Sequence, residues 1–107
     1  MGKSIIEKDG KYCFICQMLG DWRQKDLERH HVMHGTANRK LSEKYGLTVH
    51  LCRFHHREGW CAVHQNHQTD IKLIKIAQQK FEELYGHDEW MRVFMKNYLD
   101  QEDWRKI

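Results

Sequence analysis

The sequence predicts a small α+β domain with very little sheet. Two short strand-like segments lie in the first half of the chain, and two longer segments with helical spacing follow them. The 107 residues suffice for one domain with a thin hydrophobic core. Domains below roughly 70–80 residues usually need a bound metal or a disulfide to be stable, and this chain is only modestly longer than that limit. We therefore expect a single domain over residues 1–107 that is held together by such a cross-link.

The first half is predicted to contain a cysteine-bearing turn, two strands and one turn of helix. The cysteine-bearing turn covers residues 12–16, and the first strand covers residues 27–32. The Gly, Thr and Asn content of residues 35–39 predicts a loop. Residues 41–45 are predicted as one helical turn that Gly46 ends. Residues 47–51 alternate apolar and polar side chains and include β-branched ones, which favours a second strand.

Residues 69–107 are predicted to form a helical extension. Its apolar residues recur at steps of three, four and three, the spacing of one helical face, at Ile74, Ala77, Phe81 and Leu84. Thr69 or Asp70 can cap the start of this helix, and Gly86 follows its end. A second helix, capped by Asp88, is expected to direct four apolar residues inward: Met91, Phe94, Met95 and Tyr98.

Charge and histidines concentrate in the middle of the chain. The net charge is +3, and residues 30–67 carry five Lys/Arg against two Asp/Glu together with eight of the nine histidines. A basic, histidine-rich centre suits a polyanionic partner and a metal ion. A solvated surface without any ligand would have the same charge, so charge alone leaves both interpretations open.

The sequence gives no reason to expect a membrane protein. No segment approaches the roughly 18 uninterrupted apolar residues of a membrane span, and the N-terminal residues lack the apolar stretch of a signal peptide. We therefore expect a cytoplasmic protein without a membrane partner. In that compartment the four cysteines are interpreted as metal ligands or free thiols and not as disulfides.

Two pairs of residues have the spacing of a structural zinc site. They are Cys13-x-x-Cys16 and Cys52-x-x-His55, and a separation of two residues lets both donors of a pair face one tetrahedral ion. Cys61 is an alternative fourth ligand, ranked lower because its separation from Cys52 is irregular. Buried thiols beside an incidental histidine are the alternative to a zinc site.

A second set of histidines suggests further chemistry: His30, His31, His56 and His64. Neighbouring residues on a strand point to opposite faces, so His30 and His31 are expected to have different roles near the strand's end. His56 directly follows the predicted zinc ligand His55 and is expected to point away from it. Surface or buried hydrogen-bonded histidines are the alternative.

The motifs together resemble the zinc-containing HNH endonuclease family, most closely its small phage and prophage members. The resemblance covers about residues 12–67 and is carried by Cys13-x-x-Cys16, by Glu28-Arg29-His30-His31-Val32 and by Leu47-Thr48-Val49-His50-Leu51-Cys52-x-x-His55-His56. It implies a ββα-metal core, in which two strands and a helix hold one catalytic cation, followed here by the C-terminal helices.

The resemblance also implies roles for individual residues. His31 matches the general base, and His30 and His56 match ligands of the catalytic cation. His64 matches a further histidine that is either a third ligand or a phosphate contact. Asn38 is the only asparagine between the two histidine doublets and is assigned to the middle position of the motif, for which the resemblance implies an orienting role in catalysis. His55 stands where many members have cysteine, which zinc accepts equally well.

The implied activity is hydrolysis of DNA phosphodiester bonds with one divalent cation: Mg²⁺, Mn²⁺, Ni²⁺ or Zn²⁺. The expected phosphate contacts are Arg39, Lys40, Arg53 and Arg57. The expected setting is the cytoplasm of a bacterial or phage-infected cell, with phage packaging proteins as candidate partners. One alternative is a non-catalytic zinc-stabilised module that binds DNA or protein. Another is a structural interaction protein whose surface includes Trp90 and Trp104.

Overall fold

The computed structural model of the chain describes residues 3–99. Residues 1–2 and 100–107 lie outside the described part, so the prediction for Trp104 lies outside it too. The elements in chain order are α1 (Phe14–Met18), β1 (Leu27–His31), α2 (Thr36–Tyr45), β2 (Thr48–Cys52), a π-helical turn (Phe54–Glu58), α3 (His67–Tyr85) and α4 (His87–Phe94).

The sheet consists of β1 and β2, which pair in antiparallel fashion. Leu27 lies opposite Cys52, and His31 lies opposite Thr48. The end of β2 is therefore beside the start of β1, and the π-helical turn that follows β2 lies against β1. Within residues 3–99, a two-stranded sheet with four α-helices confirms the predicted α+β class with little sheet.

The loop predicted over residues 35–39 is wrong, because α2 begins at Thr36. The Gly, Thr and Asn content misled the prediction, since these residues also occur in a first helical turn that has no side-chain cap. The buried hydroxyl of Ser42 holds α2 in place, because it donates to the Met33 carbonyl and accepts from the Met33 N–H. The helix ends at Gly46, as predicted, with a left-handed φ of 73°.

The predicted N-terminal caps of the C-terminal helices are also wrong, whereas Gly86 follows the end of α3 as predicted. Helix α3 begins at His67, and the side chain of Asn66 accepts a hydrogen bond from the Thr69 N–H at 3.1 Å. Asp70 is buried and bonds His34 instead. Helix α4 begins directly after Gly86 and has no side-chain cap, so Asp88 does not cap it.

The core lies between the sheet, α1 and the inner face of α3. Phe81 and Trp90 are fully buried in it and contact each other edge to face. Two residues predicted to face inward do not, since Leu84 is 62% exposed and Met95 is 80% exposed. Met95 turns outward because α4 ends at Phe94 and the chain adopts a left-handed conformation there. Within residues 3–99, no helix has the length and apolar character needed to cross a membrane.

Candidate metal sites

The four residues predicted to bind structural zinc lie together in one buried cluster, the Cys3His cluster: Cys13, Cys16, Cys52 and His55. Three separate elements supply them. Cys13 caps α1 and Cys16 lies in its first turn, Cys52 is the last residue of β2, and His55 lies in the π-helical turn. The cluster therefore connects α1 to the sheet and to the segment that follows it.

The spacing of the donor atoms fits a tetrahedral ion. The Nδ1 atom of His55 lies 3.3 Å from the sulfur of Cys16, 3.4 Å from that of Cys52 and 3.7 Å from that of Cys13. The Cys16 and Cys52 sulfurs are 3.8 Å apart. Zinc bonds of the usual length place tetrahedral donors roughly 3.5–3.8 Å apart. The Cys3His cluster could thus hold a structural metal ion.

Burial makes this cluster a poor place for thiolates without a cation. It raises the pKa of the Cys13 thiol to about 12 and lowers the pKa of His55. A bound dication would lower the pKa of the Cys13 thiol again, because it stabilises the thiolate directly. Lys25 adds positive charge at the edge, with its Nζ 3.1 Å from the Cys16 sulfur. Cys61 lies outside the cluster and lines an apolar cavity of about 390 Å³ that His55 also lines.

Three of the predicted catalytic histidines form a second group, the trihistidine cluster: His30, His56 and His64. The ring of His30 lies 5.2 Å from the rings of both partners, and those two rings are 4.7 Å apart. The Nε2 atoms of His56 and His64 are 3.2 Å apart. His30 is 2% exposed, and its buried Nε2 has no hydrogen-bond partner among residues 3–99.

A carboxylate sets the orientation of His56. Glu28 Oε1 lies 2.7 Å from its Nδ1, and an ionised carboxylate only accepts hydrogen bonds. Nδ1 of His56 thus carries a proton, and in the neutral ring the lone pair is on Nε2, the atom nearest His64, as in metal-binding histidines. The hydrogen bonds from Arg57 and then His56 lower the pKa of Glu28 to about 2, so this carboxyl stays ionised.

Two of the three imidazoles in the trihistidine cluster favour the neutral form. Burial, followed by repulsion from His56 and His64, lowers the pKa of His30 to about 3. Burial and the neighbouring histidines also lower the pKa of His64. Neutral imidazole nitrogens that lie close together suit a divalent cation, and one of them, the Nε2 of His30, has no hydrogen-bond partner among residues 3–99.

His31 does not join this cluster but lies beside it. Its side chain lines a cavity of about 280 Å³ together with all three cluster histidines. It also lines an adjoining cavity of about 420 Å³ with Arg39 and Lys40. The predicted base His31 and the predicted phosphate contact Arg39 line both of these neighbouring cavities, and Lys40 lines the second; the two cavities together are called the cleft.

The partner of His31 is Glu43, a residue that the sequence did not single out. Glu43 Oε2 lies 2.6 Å from His31 Nε2, and Glu43 Oε1 accepts a hydrogen bond from Arg29. Asn38 lies half-buried in α2 and makes no hydrogen bond to His31. The role assigned to Asn38 stays a prediction. Recognising 36–45 as a helix would have drawn attention to Glu43.

A second missed pair lies at the rim of the trihistidine cluster. His34 Nε2 lies 2.9 Å from Asp70 Oδ2, and the His34 ring is 6.4 Å from the ring of His30. These residues are 36 positions apart, so no local motif joins them. The pair fixes the start of α3 against the segment after β1.

The four predicted phosphate contacts divide into two kinds. Arg57 binds Glu28 at 2.7 Å, and Arg53 lies 3.6 Å from Glu58. Arg39 and Lys40 form no ion pair within residues 3–99, and both face the cleft beside His31. These two side chains are thus the ones available to an anion.

Comparisons of the chain with protein-family models, with curated proteins and with solved structures found no match. The family resemblance consequently rests on the motifs alone.

Proposed function

We propose that the chain is a metal-dependent DNA endonuclease of the HNH type. The observation that carries this proposal is the convergence of three imidazoles, with the orphaned Nε2 of His30 among them, in a cleft that His31 also lines. If the three histidines had a purely structural role, the buried Nε2 of His30 would stay unpaired, at a cost of about 1–3 kcal/mol.

The trihistidine cluster would hold the catalytic cation. When bound, a divalent cation supplies Lewis-acid stabilisation to the phosphate and the leaving oxygen. The cluster could hold such an ion, since the Nε2 atoms of His56 and His64 lie 3.2 Å apart and all three ligand atoms lie within 4.8 Å of one another. One side of the cluster opens into the cleft, which leaves room for water and for a phosphate group.

His31 would act as general base. It would accept a proton from the water whose oxygen attacks phosphorus, while the bond from phosphorus to the 3′ oxygen breaks. Imidazoles suit this role because they exchange protons near neutral pH. Arg39 and Lys40, on the cleft wall beside His31, would contact the phosphates of the strand.

The Cys3His cluster would bind zinc and support the site. His55 belongs to this cluster and His56 to the trihistidine cluster, so the structural ion would fix the segment that carries a catalytic ligand.

The proposal is tested by incubating purified protein with supercoiled plasmid in EDTA, Mg²⁺, Mn²⁺ or Ni²⁺. Wild type should nick or linearise the plasmid only with a divalent cation. His31→Ala should lose at least about 100-fold in rate, the typical contribution of a positioned base, while it binds DNA equally well. Metal-independent DNA binding without cutting by wild type would favour the non-catalytic zinc-stabilised module.

A further inference from the structure

We propose that Glu43 is the positioning residue of His31, holding the imidazole with its proton on Nε2 so that Nδ1 is the proton-accepting nitrogen. This inference rests on the proposed role of His31 as base. It assigns to a carboxylate on α2 the orienting role that the family resemblance implied for Asn38.

The hydrogen bond defines the tautomer. Glu43 Oε2 lies 2.6 Å from His31 Nε2, and a carboxylate has no proton to donate. Nε2 must therefore be the protonated nitrogen. Within residues 3–99, Nδ1 of His31 has no hydrogen-bond partner, so its lone pair is available to a water in the cleft.

Arg29 holds the other oxygen of the same carboxylate. Its Nη2 donates to Glu43 Oε1 at 3.1 Å. Arg29 and His31 are two positions apart on β1, so both side chains leave the strand on the same face. Because each oxygen of Glu43 has its own donor, the carboxylate cannot rotate without breaking a contact.

The backbone that carries Glu43 is fixed as well. The preceding residue, Ser42, is fully buried and makes two hydrogen bonds to the Met33 backbone. Helix α2 is thereby tied to Arg29 of β1 and to Met33, two residues beyond the end of β1, on either side of the Glu43–His31 contact. Such a rigid support is what a base needs to keep a productive orientation.

The test uses full-length, zinc-loaded protein and two readouts. The first is ¹⁵N NMR of the His31 ring at a pH where the imidazole is neutral. Wild type should show the proton on Nε2, and Glu43→Gln should show a mixture of tautomers, because an amide can either donate or accept. The second readout is plasmid cutting, where Glu43→Gln should lower kcat by about 10–100-fold and leave KM and zinc content unchanged.

Glu82→Gln is the matched control. Glu82 also bonds a histidine, His87, at 2.7 Å, but neither residue lines the cleft. This variant should keep the wild-type kcat and the wild-type His31 tautomer.

The outcomes separate this inference from the proposed function. A wild-type His31 with its proton on Nδ1 overturns the inference, and this result does not depend on any variant folding. A Glu43→Gln variant that keeps the wild-type tautomer and kcat overturns it too. If wild type fails to cut DNA under any metal condition, the proposed function fails, while the NMR result still decides whether Glu43 orients His31.

Discussion

His55 and His56 are neighbours in the chain, yet each belongs to a different cluster of side chains that could hold a metal ion. The Nδ1 of His55 lies 3.4 Å from the Cys52 sulfur, and the Nε2 of His56 lies 3.2 Å from that of His64. The residues lie in the π-helical turn Phe54–Glu58. Wide turns of this kind are rare and frequently occur at functional sites.

The turn separates the two side chains because consecutive residues of a helix point in well-separated directions. The Gly59 N–H closes the turn on the Phe54 carbonyl at 2.8 Å. One backbone segment can thus deliver a ligand to a closed, buried site on one side and to an open, polar site on the other. Closed sites suit structural ions, and sites with open positions suit catalytic ones.

The first prediction concerns the structural ion. Protein purified without added zinc should contain about one tightly held zinc per chain, and chelation should unfold it, since metal binding contributes folding free energy. Cys16→Ser should lose the zinc, while Cys61→Ser, a cysteine outside the cluster, should keep it. Metal analysis with circular dichroism measures both. A metal-free wild type with an intact fold would contradict the assignment.

The second prediction concerns Lys25, whose Nζ lies 3.1 Å from the Cys16 sulfur and 2.7 Å from Asp21. Zinc bound by three thiolates and a neutral imidazole carries a net charge of about −1, which this ammonium offsets. Lys25→Met should therefore weaken zinc binding by about 10-fold or more, measured by competition with a chromogenic chelator. Lys80→Met, on the exposed side of α3, is the control. Equal zinc affinity in the two variants would rule out a role for Lys25.

The third prediction concerns pH and His30. Burial lowers its pKa to about 3 in the folded protein, against an ordinary 6.5 in the unfolded chain. Between these values only the unfolded chain takes up the proton, so the free energy of unfolding falls as pH drops below about 6.5. By pH 5 the loss should reach about 2 kcal/mol.

Urea unfolding of wild type and His30→Leu at pH 7 and pH 5, without added divalent cation, measures this loss. Between pH 7 and pH 5, the free energy of unfolding of His30→Leu should rise by about 2 kcal/mol relative to that of wild type. His67→Leu, at an exposed position on α3, controls for removing a histidine from the surface. The same shift in both variants would show that burial of His30 is not its cause.

The sequence was most informative where ligands lie close together in the chain. The spacing in Cys13-x-x-Cys16 and Cys52-x-x-His55 predicted the residues of the Cys3His cluster, because two short turns determine most of its geometry. Helix α3 and the end of α2 at Gly46 were likewise local properties, set by hydrophobic period and by a left-handed glycine.

The contacts that the sequence did not reveal depend on packing between distant elements. Glu43 meets His31 only because α2 starts at Thr36 and lies against β1. Asp70 was predicted as a cap because its type suits that position, whereas the fold directs its side chain to His34, 36 residues away. No local pattern encodes such pairs.

The most direct test compares His55→Ala with His56→Ala by zinc content, melting temperature and Mn²⁺-dependent plasmid cutting in parallel. His56→Ala should keep its zinc and a near wild-type melting temperature but lose metal-dependent cutting, because it removes a ligand of the open site alone. His55→Ala should lose zinc and melt at a lower temperature, and it should lose activity only through that instability. The opposite pattern, with zinc lost in His56→Ala and a folded, inactive His55→Ala, would contradict the division of this doublet between two metal sites.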